Sequence, residues 1–105
     1  MDVIREIAEH YGLEHQAHQL VEEMAELTQA LNKLWRKVTA SANPVETDLQ
    51  EIKGHIAEEI ADVEICLKQV QYLLGVSNDV HDFVTGKINR QLDRIAAENE
   101  RNNPL

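Results

Sequence analysis

Residues 19–31 read QLVEEMAELTQAL, and residues 55–67 read HIAEEIADVEICL. Laid together at an offset of 36 residues, Glu22 falls on Glu58, Glu23 on Glu59, Ala25 on Ala61 and Glu26 on Asp62. The apolar residues Leu20, Met24, Leu27 and Leu31 fall on Ile56, Ile60, Val63 and Leu67. Apolar steps of four and three mark one face of an α-helix. Two matched stripes arise easily by chance. Three acids in the same phase with each stripe do not.

Working outward, the first stripe continues through Leu34 and Val38, which predicts a helix over 13–38. The second begins at Leu49 and Ile52 and continues through Val70 and Leu74, which predicts a helix over 46–74. Gly54 lies inside that helix, where glycine loosens or bends it. Residues 39–44, TASANP, form the clear loop between the two, because Pro44 disfavours helix at Asn43. Gly12 ends a shorter N-terminal helix over 2–11. Gly75 is a natural stop for the 46–74 helix. Ser77 or Asn78 caps a fourth helix to about residue 99, with Val80, Val84, Ile88, Leu92 and Ile95 turned inward. The tail from about 100 to 105 frays. No period-2 alternation competes with these patterns. The sequence predicts a single all-α domain over 1–105. It is a four-helix, bundle-like protomer with two long antiparallel helices covered by the first and the last. Surplus apolar faces on so short a chain predict assembly into a dimer or tetramer.

Asp and Glu outnumber Lys and Arg by 19 to 10, for a net charge of -9. Such a surface repels nucleic-acid polymers and anionic membranes. No segment is apolar enough to span a bilayer, and the charged N-terminus does not resemble a signal peptide. Cys66 is the sole cysteine, so no intrachain disulfide forms, which suits a reducing cytoplasm. It is expected in the core as a small hydrophobe.

At about 100° per residue, Glu23 sits roughly 60° to one side of the stripe centred on Leu20, and Glu26 a further 60° or so around. Glu59 and Asp62 take the same places relative to Ile56. Antiparallel packing then brings both acidic edges to one seam, where residues three apart grip a single ion. Four carboxylates beside a core need protons or a cation. An all-oxygen donor set suits Mg²⁺, with Mn²⁺ as a substitute, and Mg²⁺ completes its shell with water and phosphate oxygens. A solvated acidic face is the plainer account of a single EExxE, and it is the stronger one for Glu22 and Glu58, which point farther from the stripe.

At Glu22-Glu23-Met-Ala-Glu26 and Glu59-Ile-Ala-Asp62 the chain resembles the MazG-type all-α nucleoside triphosphate pyrophosphohydrolases, over about residues 14–95. The resemblance implies Glu23, Glu26, Glu59 and Asp62 as metal ligands. It also implies hydrolysis of an NTP or dNTP to monophosphate and pyrophosphate, and a dimer or tetramer whose paired helices build the site. It alone selects attack at the α-phosphorus. The 32 residues 27–58 between Glu26 and Glu59 form a longer spacer than in compact members, and the added length around 41–52 bears on the base pocket. Glu22 or Glu58 is the expected proton acceptor.

Cations must meet the phosphates. Lys33 and Lys37 continue the face of Glu26, and Lys87, Arg90 and Arg94 share one face of the last helix. Lys87 and Arg90 match a basic pattern of the family, whereas Arg94 suits an ion pair with Glu98. Trp35 is a candidate for stacking on a nucleobase, although such a residue more often fills a core or interface. His55 lies one turn before Glu59 and approaches the site from behind. His15 and His18 lack a second metal-binding pair. The main alternative is a non-catalytic helical protein that dimerises or binds a partner. A di-iron bundle requires Glu-x-x-His, and no Glu here has His three residues later. Phosphate-loop and nucleophile-elbow motifs are absent.

Overall fold

The computed structural model describes residues 2–39 and 45–103. They form three helices, α1 (Val3–Val38), α2 (Leu49–Leu74) and α3 (Ser77–Asn102), with no strand among the described residues. The all-α expectation holds, but with three helices rather than four. The difference lies at Gly12, which adopts φ 84° and ψ 168° inside α1. Glycine tolerates that positive φ. The helix therefore kinks at Gly12 and resumes at once, so the two predicted segments form one bent element.

Caps set the remaining boundaries. Asp2 Oδ1 accepts from the backbone N–H of Ile4 at 3.0 Å and of Arg5 at 3.4 Å, satisfying donors that the first turn leaves open. Asp48 does the same for α2 through Gln50 N at 3.2 Å. The helix consequently starts three residues later than the predicted 46. Gly75, at φ 68°, stops α2 as expected. Ser77 is the first residue of α3 and not its cap: Val76 flanks the helix, with no side-chain capping bond. Helix α3 also runs to Asn102, beyond the predicted end near 99. Of the predicted loop, residues 40–44 lie outside the described residues, as do residues 104 and 105 of the tail. Gly54 leaves α2 unbroken.

The chain divides into two compact units, Met1–Leu74 and Gly75–Leu105. In the first, α1 and α2 pack antiparallel. Gln16 meets Gln69 through a buried side-chain hydrogen bond, while Ala30 packs with Ile52 and Ile56 toward the other end. Leu27, Leu34 and Val45 pack against that apolar cluster. Around the kink, Tyr72 donates to Glu9 and the Arg5 guanidinium lies 4.8 Å from the Tyr72 ring centre, which ties the segment before Gly12 to the end of α2.

The seam is rotated from the predicted stripes. On α2 it comprises Ile52, Ile56, Glu59, Val63, Cys66 and Gln69. The expected Ile60, Leu67 and Leu74 are exposed, and so are Met24, Leu31 and Val38 of α1. Both helices thus turn a carboxylate, Glu23 or Glu59, into a seam position that an aliphatic residue would fill if burial alone decided. Small Ala30, 3% exposed, lets the backbones approach beside them.

In the second unit, α3 buries none of its residues. The stripe predicted to face inward is exposed at Val84, Ile88, Leu92 and Ile95 within one chain. Among the described residues no helix is long and apolar enough to cross a membrane.

Candidate metal centre

Glu23 and Glu26 lie one turn apart on α1, and Glu59 faces them from α2. Each offers a carboxylate oxygen, and the three oxygens lie within 4.8 Å of one another. Glu59 is 7% exposed. Glu23 Oε1 accepts from Gln19 Nε2 at 2.8 Å, and Glu59 Oε1 lies 3.7 Å from His55 Nε2. Their second oxygens, Glu23 Oε2 and Glu59 Oε2, are buried with no hydrogen-bond partner among the described residues. A buried carboxylate oxygen without a donor is costly. Two of them beside a third carboxylate fit a cation, and the all-oxygen set fits a hard one such as Mg²⁺.

The charges of Glu23 and then Glu59 raise the Glu26 pKa above its ordinary 4.5. Folded Glu26 therefore holds its proton more tightly than the unfolded chain does. The stability linked to that proton is fully present below 4.5 and is lost as pH rises through the raised folded value. In chelator, the melting temperature of the wild type should fall relative to that of Glu26→Gln as pH climbs from about 4.5 toward neutrality. A constant difference across that range would show that the three carboxylates do not repel one another. Saturating Mg²⁺ should flatten the trend, because a cation competes with the proton.

A cleft of about 620 Å³ opens beside the cluster, lined by Glu26, Gln29, Ala30, Asn32, Lys33, Arg36, His55 and Glu59. The structure thus gathers Glu23, Glu26 and Glu59, and brings Lys33 and His55 to the same cleft. Asp62, half-buried one turn beyond Glu59, is outside the close trio. It does act on Cys66: burial first, then the charges of Glu23 and Asp62, push that thiol up. Cys66 is buried, as expected.

Other predicted residues of the first unit do not line the cleft. Glu22 is exposed, with its carboxylate 3.4 Å from His18 Nε2, and neither Glu22 nor Glu58 lines the cleft. Lys37 turns to the Val45 carbonyl, to which it donates at 3.2 Å. Trp35 is 67% exposed and does not line the cleft. Lys87 and Arg90 lie exposed on α3. Arg36, Gln29, Asn32 and Gln19 were not expected at the site. For Arg36 a signal existed, since it follows Lys33 by three residues on the same helix face.

The first unit is an all-α helical hairpin whose cleft is lined by carboxylates, amides and cations together. Comparison with protein-family models, with curated proteins and with solved structures gives no match.

Proposed function

We propose that this protein is a Mg²⁺-dependent nucleoside triphosphate pyrophosphohydrolase, converting an NTP or dNTP and water to the monophosphate and pyrophosphate. The observation that carries the metal half of this reading is the pair of buried, unpartnered oxygens on Glu23 and Glu59. The choice of reaction rests on the resemblance of EExxE and ExxD to the MazG-type enzymes.

Glu23, Glu26 and Glu59 would hold the ion, with Asp62 the fourth ligand that the resemblance implies. When bound, the ion supplies Lewis-acid neutralisation of phosphate oxygens. Lys33 and Arg36, on the cleft wall, offer donors to the phosphates. A water oxygen bonds to the α-phosphorus, the bond from that phosphorus to the bridging oxygen breaks, and pyrophosphate leaves with the electron pair. The water's proton passes to a carboxylate that does not hold the ion, Glu22 or Glu58, although neither lines the cleft. Housecleaning of the cytoplasmic nucleotide pool is the role such a reaction fits.

The protein acts as a homodimer or homotetramer. Exposed apolar residues on all three helices, among them Leu31, Trp35, Leu67, Phe83 and Leu92, supply faces that another copy would cover.

Incubation with Mg²⁺ and a panel of NTPs and dNTPs, with products separated chromatographically, tests the reaction. Monophosphate plus pyrophosphate, abolished by chelation, is the expected outcome. Diphosphate plus phosphate would overturn the site of attack. No turnover, with no melting shift from Mg²⁺, would leave a non-catalytic helical assembly protein as the better account.

A further inference from the structure

Cations are scarce in this chain, with 10 Lys and Arg against 19 Asp and Glu. A cation in such a protein has acids to pair with. Lys33 and Arg36 nevertheless make no ion pair and no side-chain hydrogen bond among the described residues, although both line a cleft that Glu26 and Glu59 also line. Lys37, one residue further on, is committed to the Val45 carbonyl. The helix dipole explains cations in the last turn of α1, where Arg36 and Lys37 lie. It does not explain Lys33, a turn earlier and half-buried.

The amides of Gln29 and Asn32 line the same cleft. Beyond the carboxylates, then, α1 presents two cations and two amides along one face. At 1.5 Å per residue, Lys33 lies about 10 Å and Arg36 about 15 Å along the helix axis from Glu26. Both side chains are long enough to reach back toward the cluster. The cleft is therefore polarised. Cation-binding oxygens occupy one end, and anion-binding donors follow toward the C-terminus of α1.

We propose that Lys33 and Arg36 form the subsite for the phosphates beyond the cut bond, so that the polyphosphate lies along α1 from the carboxylate trio toward Arg36. The sense of the substrate rests on the hydrolase reading, whereas the anion subsite stands without it. The released pyrophosphate is the group this subsite holds. Lys37 has no part in it.

Binding of inorganic pyrophosphate to the full-length protein in Mg²⁺, measured by calorimetry, separates the two ideas. Lys33→Met keeps the aliphatic stem and Arg36→Gln keeps a polar tip, so both should melt near the wild-type temperature. Each should weaken pyrophosphate binding by about tenfold or more, the loss of one charge-assisted contact. Lys37→Met should bind as the wild type does. The proposal is overturned if the wild type binds no pyrophosphate, or if Lys33→Met and Arg36→Gln bind it unchanged. It is overturned equally if Lys37→Met is the variant that loses binding. Pyrophosphate held through Lys33 and Arg36 by a protein that cleaves no nucleotide would keep the subsite and sink the hydrolase reading. Nucleotide cleavage with KM unchanged in the Lys33→Met, Arg36→Gln double variant would keep that reading and sink the subsite.

Discussion

Glu59→Gln is expected to melt above the wild type in chelator, and to lose both Mg²⁺-dependent stabilisation and turnover. The reason is that the seam holds an anion where burial favours an aliphatic residue. Glu59 is 7% exposed, one of its oxygens has no partner, and it shares the site with Glu23 and Glu26, against which, among the described residues, only His55, 3.7 Å from its other oxygen, is set. An amide of the same shape removes one charge and supplies two N–H donors. A hydrogen bond to a charged acceptor is worth about 1.5–3 kcal/mol, and in a domain of this size each kcal/mol moves the midpoint by roughly 4–8 °C. On the proposed Mg²⁺ site the order should reverse with metal: the wild type should gain stability in proportion to the logarithm of metal concentration above Kd, and the variant should not. Turnover should fall by more than the roughly 10- to 100-fold that loss of an outer partner costs a metal site. A metal-free variant that melts below the wild type would mean that the His55 contact outweighs the repulsion from Glu23 and Glu26. A variant that keeps both the Mg²⁺ shift and the turnover would remove Glu59 from the site altogether.

That prediction depends on a rotation that was not legible in the sequence. The periodicity of Leu20, Leu27 and Leu34 correctly places α1 against α2. It does not choose between flanking Met24, Leu31 and Val38 on one side and Glu23, Ala30 and Lys37 on the other. Hydropathy favours the first set, and the structure buries the second more deeply. Ala30 and Ala8 are small enough for close approach, and Gln16 and Gln69 satisfy each other within the seam, so the rotation costs less than the carboxylates alone suggest. The acidic echo was legible because it repeats in phase, and three of its four expected ligands converge. Asp62 stands apart from the trio, and Glu22 faces His18, one turn back on the exposed side of its own helix. The kink is a similar case. Gly12 reads as a terminator, and its non-helical φ and ψ do interrupt the helix there, but helix resumes at once and Tyr72 holds the preceding segment through Glu9.

If the chain assembles as proposed, Ile88→Asp with Leu92→Asp in α3 should convert it to monomer. Within one chain Ile88 is 50% and Leu92 58% exposed, and α3 buries no residue. An isolated helix of this length is marginal in water unless tertiary or intersubunit packing covers its apolar face. The spacing of Val84, Ile88 and Leu92 keeps that face continuous for two turns. Full burial of an aliphatic side chain is worth about 1.5–3 kcal/mol, and about half of that remains to be gained at each of these positions. Replacing both with carboxylates forfeits that gain and also requires an unpaired charge to enter an apolar contact. The combined loss should weaken assembly by a hundredfold or more, at about 1.4 kcal/mol per tenfold. Light scattering coupled to size exclusion reads the mass directly, and far-UV circular dichroism of the variant should lose helix if α3 depends on a second copy. A wild type already monomeric at tens of micromolar would refute the assembly. An assembled variant would instead assign the interface to the exposed flanks of α1 and α2, where Leu31 and Leu67 lie.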